Sequence, residues 1–327
     1  MELPLVSVII PTYNYAHYIL DAINSLKQQS YSWDKIEVVV VDDGSTDNTE
    51  ELLNVLQSDG ELIYIRQNNQ GKACATKKAI SVCTGKYIFN LDADDYFLHD
   101  KIKNFVEIFE LNSDVVHVAS SANLIDNKEQ SMGIEDIPFK ITDKIISGVE
   151  LLKYFYENNI LFGGGSTYAA RTSILQSINI PLEVDMYIDE FLLLAVLPYG
   201  KSFIFKNPLS VWRVHSSNYS SPRSSDQKKI IEKSIRAIQS SDAMLSYLKN
   251  NHFDEIIIKI YMLKNITQKL VYKEAKETKN IKDIMRYIFQ IVSEIGIHPK
   301  WFVRYYILNR LLPSPIFKLL RKYKNIS

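Results

Sequence analysis

Along the first hundred positions, apolar residues fall into short unbroken runs that alternate with stripes at helical spacing. Leu5-Val6-Ser7-Val8-Ile9-Ile10 predicts a strand ended by Pro11, and Ile36-Glu37-Val38-Val39-Val40-Val41 predicts a second ended by Asp42-Asp43-Gly44. Between them Ala16, Ile19, Leu20, Ile23 and Leu26 recur every three or four positions, so the segment reads as a right-handed βαβ unit. The pattern continues with a helix over 47–56, a strand over 62–65, a helix over 72–82 and a strand over 87–91. Such alternation predicts an α/β fold with a mostly parallel, doubly wound sheet, and near-continuous apolar strands fit burial on both faces.

Periodicity then predicts a helix over 101–111, a strand over 115–118, a loop over 125–139 and a helix over 147–156. A further helix over 188–198 precedes strands over 202–205 and 209–214. The run Phe162-Gly163-Gly164-Gly165-Ser166-Thr167 holds three consecutive glycines, each costly in chain entropy, which reads either as backbone close to a ligand or as a bulge or mobile loop. Character changes at Ser216-Ser217-Asn218-Tyr219-Ser220-Ser221-Pro222. Beyond it the pattern is helical over 227–250, 253–275, 281–295 and 300–312, which places a domain boundary near Ser224 and an α-helical C-terminal extension over 224–327.

The acid cluster Asp92-Ala93-Asp94-Asp95 follows Tyr87-Ile88-Phe89-Asn90-Leu91 without a break. Carboxylates at the carboxyl end of a strand in an open α/β sheet face the crevice where ligands bind, and there they can hold a hard divalent cation serving a substrate's phosphates. Acids also suit turns and helix starts, so the spacing alone leaves both readings open. Pro11-Thr12-Tyr13-Asn14 and Asp42-Asp43-Gly44-Ser45-Thr46-Asp47 end the first two strands and reach the same crevice. Tyr13 is suited to stack on a nucleobase and Asp43 to accept its imino N–H, whereas Asp42 and Ser45 or Thr46 also fit turn and capping chemistry. Asn68-Asn69-Gln70-Gly71-Lys72 opens a helix, whose free N–H groups and Lys72 charge suit a phosphate.

The 327 residues carry 38 basic and 38 acidic side chains, so no global field argues for a nucleic-acid partner. Cys74 and Cys83 lack metal-ligand spacing and read as small core residues on one helix. Met1-Glu2-Leu3-Pro4 has no basic n-region and no apolar run reaches a membrane span, so a cytoplasmic location is expected.

In order, Val6-Ser7-Val8-Ile9-Ile10-Pro11-Thr12-Tyr13-Asn14, Val40-Val41-Asp42-Asp43-Gly44-Ser45-Thr46-Asp47, Asn69-Gln70-Gly71-Lys72 and Leu91-Asp92-Ala93-Asp94-Asp95 resemble the successive signatures of the family 2 glycosyltransferases of the GT-A fold. The match continues more loosely to about Ser220. The resemblance implies a GT-A (Rossmann-like) domain over 1–223, with a nucleotide-binding half over 1–95 and an acceptor half over 96–223. It also implies a nucleotide-sugar donor, most often a UDP-sugar, a divalent metal such as Mn2+ or Mg2+, and inversion at the anomeric carbon. Carried over by position, Pro11, Thr12, Tyr13, Asn14, Asp43, Lys72, Asp92 and Ala93 surround the nucleotide sugar and Asp94 is the metal ligand. Leu209-Ser210-Val211-Trp212-Arg213-Val214-His215 resembles the strand ending Arg-x-His, which places His215 at the metal or diphosphate. Ile188-Asp189-Glu190 leading to Pro198-Tyr199-Gly200-Lys201 resembles the segment that supplies the general base. Asp189 takes that role ahead of Glu190 and Asp185, although Ile188 stands where an acid is frequent.

From Ile295 onward the chain mixes aromatic and aliphatic residues with basic ones and no acid, which suits either an anionic membrane surface, on the inner face of the membrane, or packing on the chain's own domain. The resemblance and this tail together suggest a glycan or lipid-linked glycan acceptor in cell-surface polysaccharide assembly. Two other classes stay open: a polyprenyl-phosphate sugar synthase on the same fold, and a nucleotide-binding scaffold without catalysis.

Overall fold

The computed structural model describes residues 2–158, 164–215 and 227–290. By the density of their contacts these fall into two compact units, one of residues 2–153 and 164–215, the other of 154–158 and 227–290.

The first unit begins β1 (Val6–Thr12), α1 (Ile19–Lys27), β2 (Ile36–Asp42), α2 (Thr49–Ser58), β3 (Ile63–Arg66), α3 (Lys72–Val82) and β4 (Tyr87–Asn90). It continues with β5 (Tyr96–Phe97), α4 (Lys101–Leu111), β6 (Val115–Asp126), β7 (Ser131–Ile134), β8 (Ile145–Ser147) and α5 (Gly148–Asn158), whose last residues belong to the second unit. Further along come β9 (Tyr168–Arg171), α6 (Thr172–Ser177), α7 (Ile188–Val196) and β10 (Lys201–Val214). All ten strands form one sheet ordered β3-β2-β1-β4-β9-β6-β10-β5, with β7 on β6 and β8 on β10. The four leading strands are parallel to one another, β6 is parallel to β10, and β9 runs antiparallel between β4 and β6.

The apolar runs explain the layering. Val6, Val8 and Ile10 of β1 pack with Ile19, Ile23 and Leu26 of α1 and Ile102, Phe105 and Phe109 of α4. On the opposite face Ile9, Val39 and Val41 are buried, and α3 reaches β1 and β2 through small residues, with Ala73 and Ala79 buried. Each fully buried aliphatic or aromatic side chain contributes roughly 1.5–3 kcal/mol relative to exposure.

Several sequence expectations are corrected. Pro11 does not end β1, which continues to Thr12. The Thr12 carbonyl bonds Asp43 N, so Pro11 faces the β4 side, where pairing stops at Ile9–Asn90 and a missing N–H costs no ladder bond. The stretch 125–139 holds a hairpin of β6 and β7, and β7 is exposed throughout, so no apolar alternation announces it. The segments 202–205 and 209–214 are a single strand, β10, whose register shifts around Pro208 break its pattern. Cys83 lies one residue past α3 rather than on it, buried, with its thiol pushed up to about 12 by burial.

The second unit contains α8 (Gln227–Asn250), α9 (Glu255–Ala275) and α10 (Ile281–Gln290). Met244, Leu248, Ile260, Leu263 and Tyr287 are buried within it. The Asp254 carboxylate accepts from Ile256 N and so starts α9 two residues later than the apolar pattern suggests. The boundary at Ser224, the helix expected over 300–312 and the basic tail lie outside the described residues.

Candidate active site

Parallel register brings the ends of β1, β2 and β4 to one edge of the sheet: Thr12 pairs with Asp42, and Ile9 with Asn90. The chain leaving β4 turns at once, with Asp95 N donating to the Asp92 carbonyl at 3.0 Å. This turn gathers one carboxylate oxygen each from Asp92, Asp94 and Asp95, all within 4.8 Å of one another. Like charges at that spacing in a buried place resist ionisation. Burial first, then Lys72 opposing it, leaves the Asp92 carboxyl pushed up to about 6; burial and the charges of Asp94 and Asp92 hold Asp95 well above the carboxylate range.

Each acid has its own partners. His215 Nε2 stands 3.0 Å from Asp94 Oδ2, and the Tyr15 hydroxyl also bonds Asp94, with the Tyr15 and His215 rings meeting edge to face at 6.1 Å. Burial, followed by the charges of Asp94 and Asp92, pushes the Tyr15 phenol well upward. Asp95 is tied to the protein: its Oδ2 accepts from Ser166 Oγ and its Oδ1 from Arg213 N at 2.9 Å. Asp92 Oδ1 pairs with Lys72 Nζ at 2.8 Å, and the same ammonium reaches Asp189 Oδ2 at 2.9 Å. Burial alone would lower the Lys72 pKa, but Asp189 and Asp92 outweigh it and hold the ammonium well above its ordinary value.

The structure thus brings Lys72, Asp92, Asp94, Asp189 and His215 into one linked set. It treats the other expected residues differently. Tyr13 is exposed at the end of β1. Asn14 (φ 59°) ties two loops, donating its N–H to Ser45 Oγ at 2.8 Å and accepting from Thr46 N at 2.7 Å. Both Asp43 oxygens are engaged, Oδ1 by Gln67 Nε2 and Gln70 N and Oδ2 by Gly71 N, so Asp43 anchors the loop before α3. Pro11 is buried and the Ala93 methyl packs in the core.

The start of α3 is not an open phosphate cradle. Ala73 N donates to Asp185 Oδ1 at 3.3 Å, and a Cβ on Gly71 (φ 96°) would stand 2.4 Å from that oxygen. Asp185 therefore serves the helix start, while Asp189 faces Lys72 and the acid turn. The glycine run is also explained in part: a Cβ on Gly165 would lie 2.4 Å from Asn90 Nδ2 and 2.7 Å from Asp92 Oδ1, so the backbone there approaches protein side chains. Phe162 and Gly163 lie outside the described residues.

Sequence reasoning missed Ser166, Lys101 and Tyr15. Tyr15 immediately follows the quoted Pro-Thr-Tyr-Asn string, which is a usable signal. Nothing marks Lys101, a lysine in an otherwise amphipathic helix that proves fully buried, its ammonium driven well below the ordinary lysine range by burial.

The donor set suits a hard divalent cation: carboxylate oxygens gathered at one turn, with an imidazole against one of them. Two buried groups beside the turn, Thr12 Oγ1 and the Asn90 amide, have no partner within the protein, as is expected where water or a ligand completes the bonding.

An acid turn at the carboxyl edge of such a sheet lies where open α/β folds bind their ligands. The chain belongs to glycosyl transferase family 2, whose family model matches residues 7–176. It is 31% identical over 217 residues to an uncharacterized glycosyltransferase of Nostoc sp., covering 65% of this chain and 66% of that protein. It spans less than half the length of the other curated relatives reported. Its fold is similar to that of Staphylococcus aureus TarS residues 1–349 in complex with UDP-GlcNAc, with a TM-score of 0.60 at 16% identity over 87% of this chain and 79% of that one. It is also similar to the mannosyltransferase PcManGT from Pyrobaculum calidifontis in complex with GDP-Man and Mn2+, with a TM-score of 0.52 at 18% identity over 88% and 79% of the two chains. These likenesses establish a GT-A glycosyltransferase fold.

Proposed function

We propose that this chain moves a sugar from a nucleoside-diphosphate donor to a hydroxyl of a glycan or lipid-linked glycan, with inversion at the anomeric carbon. The observation that carries the reading is the bridge Asp92–Lys72–Asp189, which joins the acid turn to the candidate base through one ammonium. A UDP-sugar is the first donor to test, in keeping with the nucleotide sugar bound by TarS.

Asp94, backed by His215 and Tyr15, would hold the divalent cation, which when bound neutralises charge developing on the diphosphate leaving group. Asp92 would meet the cation's surroundings or the ribose, and exposed Tyr13 would stack on the base. Lys72 is a point charge for the diphosphate. As it turns to that anion, its ion pair with Asp189 is released, and the freed carboxylate takes the proton of the acceptor hydroxyl. The acceptor oxygen then forms its bond to the anomeric carbon from the face opposite the departing diphosphate, and the carbon–oxygen bond to the diphosphate breaks. A carboxylate at Asp189 suits a hydroxyl acceptor more than a phosphate, which needs no strong base.

On this reading residues 1–95 handle the donor, 96–223 complete the acceptor side, and 224–327 form the helical extension. Among the described residues no helix is long and apolar enough to cross a membrane. The basic aromatic tail gives a cytoplasmic enzyme a means to rest on an anionic membrane. A thermal-shift panel of nucleotides and nucleotide sugars, with and without Mn2+ or Mg2+, tests the reading by mass action. A metal-dependent rise in Tm with one nucleotide sugar is expected, and no rise across the panel contradicts it.

A further inference from the structure

Beneath the acid turn lies a buried network with no place in the chemistry above. Ser166 Oγ accepts from Asp92 N at 3.0 Å and donates to Asp95 Oδ2, so one hydroxyl grips both ends of the turn. The Ser166 carbonyl in turn accepts from Lys101 Nζ at 3.1 Å and Ser210 Oγ at 2.6 Å, and Lys101 Nζ also donates to Ser210 Oγ at 2.8 Å. Ser166, Lys101 and Ser210 are all 1% exposed or less. The ammonium sits 4.7 Å and 4.4 Å from the ring centres of Phe97 and Phe105.

Burying a lysine away from water is costly, and two hydrogen bonds and two aromatic faces offset part of that cost. Its placement fixes the Ser166 main chain, which also has to lie close: Gly165 leaves no room for a Cβ against Asp92. The far end of the turn is closed by Arg213, whose N–H bonds Asp95 and whose Nη1 donates to the Asp94 carbonyl at 3.0 Å.

The geometry assigns to Ser166 and Lys101 the role of positioning residues for the divalent-cation site: Ser166 sets the distance between the Asp92 and Asp95 ends of the turn, and Lys101 holds Ser166 in place. Ser166 bonds the acids and Lys101 bonds Ser166, so both act through the acids. The assignment rests on the metal reading of the acid turn. Outer partners of metal ligands commonly control affinity by about 10- to 100-fold.

The test is Mn2+ binding to the full-length protein in the presence of UDP, read by loss of the free-ion electron paramagnetic resonance signal. Ser166→Ala and Lys101→Met, which keeps the length of the stem, are each expected to weaken Mn2+ binding by about 10-fold or more. Ser25→Ala is the control, because Ser25 Oγ accepts from Phe97 N two residues past the turn and is likewise buried, yet it does not bond the acids. It is expected to lower Tm without changing Mn2+ affinity. Wild-type affinity in Ser166→Ala, or in Lys101→Met should the first not fold, overturns the assignment. So does a loss in Ser25→Ala equal to that in Ser166→Ala, since general loosening would then suffice. A wild-type protein that binds no Mn2+ with UDP is a different result, and it removes the metal reading itself.

Discussion

The acid turn at 92–95 is gripped from beneath by Ser166, closed at its far end by Arg213 and braced at Asp94 by His215 and Tyr15. Asp189, near the start of the short helix α7, meets the same site through the Lys72 ammonium, which it shares with Asp92. One side is therefore held by several partners within the protein, whereas the other, on the proposed mechanism, changes partners when an anion claims Lys72. Preformed geometry suits the group that must hold charge at a fixed place, and a releasable ion pair suits the group that must be free only when donor is bound.

The comparison breaks most visibly at Asp189. Asp189→Asn keeps the shape of the side chain but cannot take a proton, and should reduce kcat by about 10²- to 10⁴-fold while leaving UDP affinity within a few-fold of wild type. Steady-state transfer assays beside UDP calorimetry would check this. Unchanged kcat removes Asp189 as the base, and an equal loss of UDP affinity would show that the two sides are not separable.

A smaller effect sharpens the acid side. The Asp92 carboxyl, ordinarily near 3.8, is raised to about 6, chiefly by burial. Between those values the folded chain keeps a proton that the unfolded chain has lost, so this group's contribution to stability falls as pH rises through the window. Cation binding needs the ionised form, so Mn2+ affinity of the ligand-free protein should fall by about tenfold per pH unit below pH 6. Titrations at pH 7.5 and 5.0 would show it as a loss of about tenfold. A flat profile would mean that Asp92 stays charged or takes no part.

Much of this fold is legible in residue pattern because β1, β2 and β4 are buried on both faces and the helices between the leading strands carry apolar stripes. The helices over 72–82 and 101–111 coincide with α3 and α4. The later strands are harder to read: β9 is only four residues long, β7 is exposed and β10 is interrupted at Pro208. The site divides in the same way. Asp92, Asp94, Asp189, Lys72 and His215 stand in ordered motifs, and the structure links them through ion pairs and hydrogen bonds. Asp43 and Asn14 stand in motifs too, yet their side chains hold loops together. Ser166 and Lys101 act through contacts more than sixty residues apart in sequence, which no local spacing encodes.

The most direct measurement is calorimetric binding of UDP to the wild-type protein and to Asp94→Ala, each with and without Mn2+. A metal-centred donor site predicts that Mn2+ tightens UDP binding to wild type by about tenfold or more and leaves Asp94→Ala unchanged. Equal UDP affinity with and without the metal in wild type, or the same Mn2+ gain in Asp94→Ala, would contradict the account.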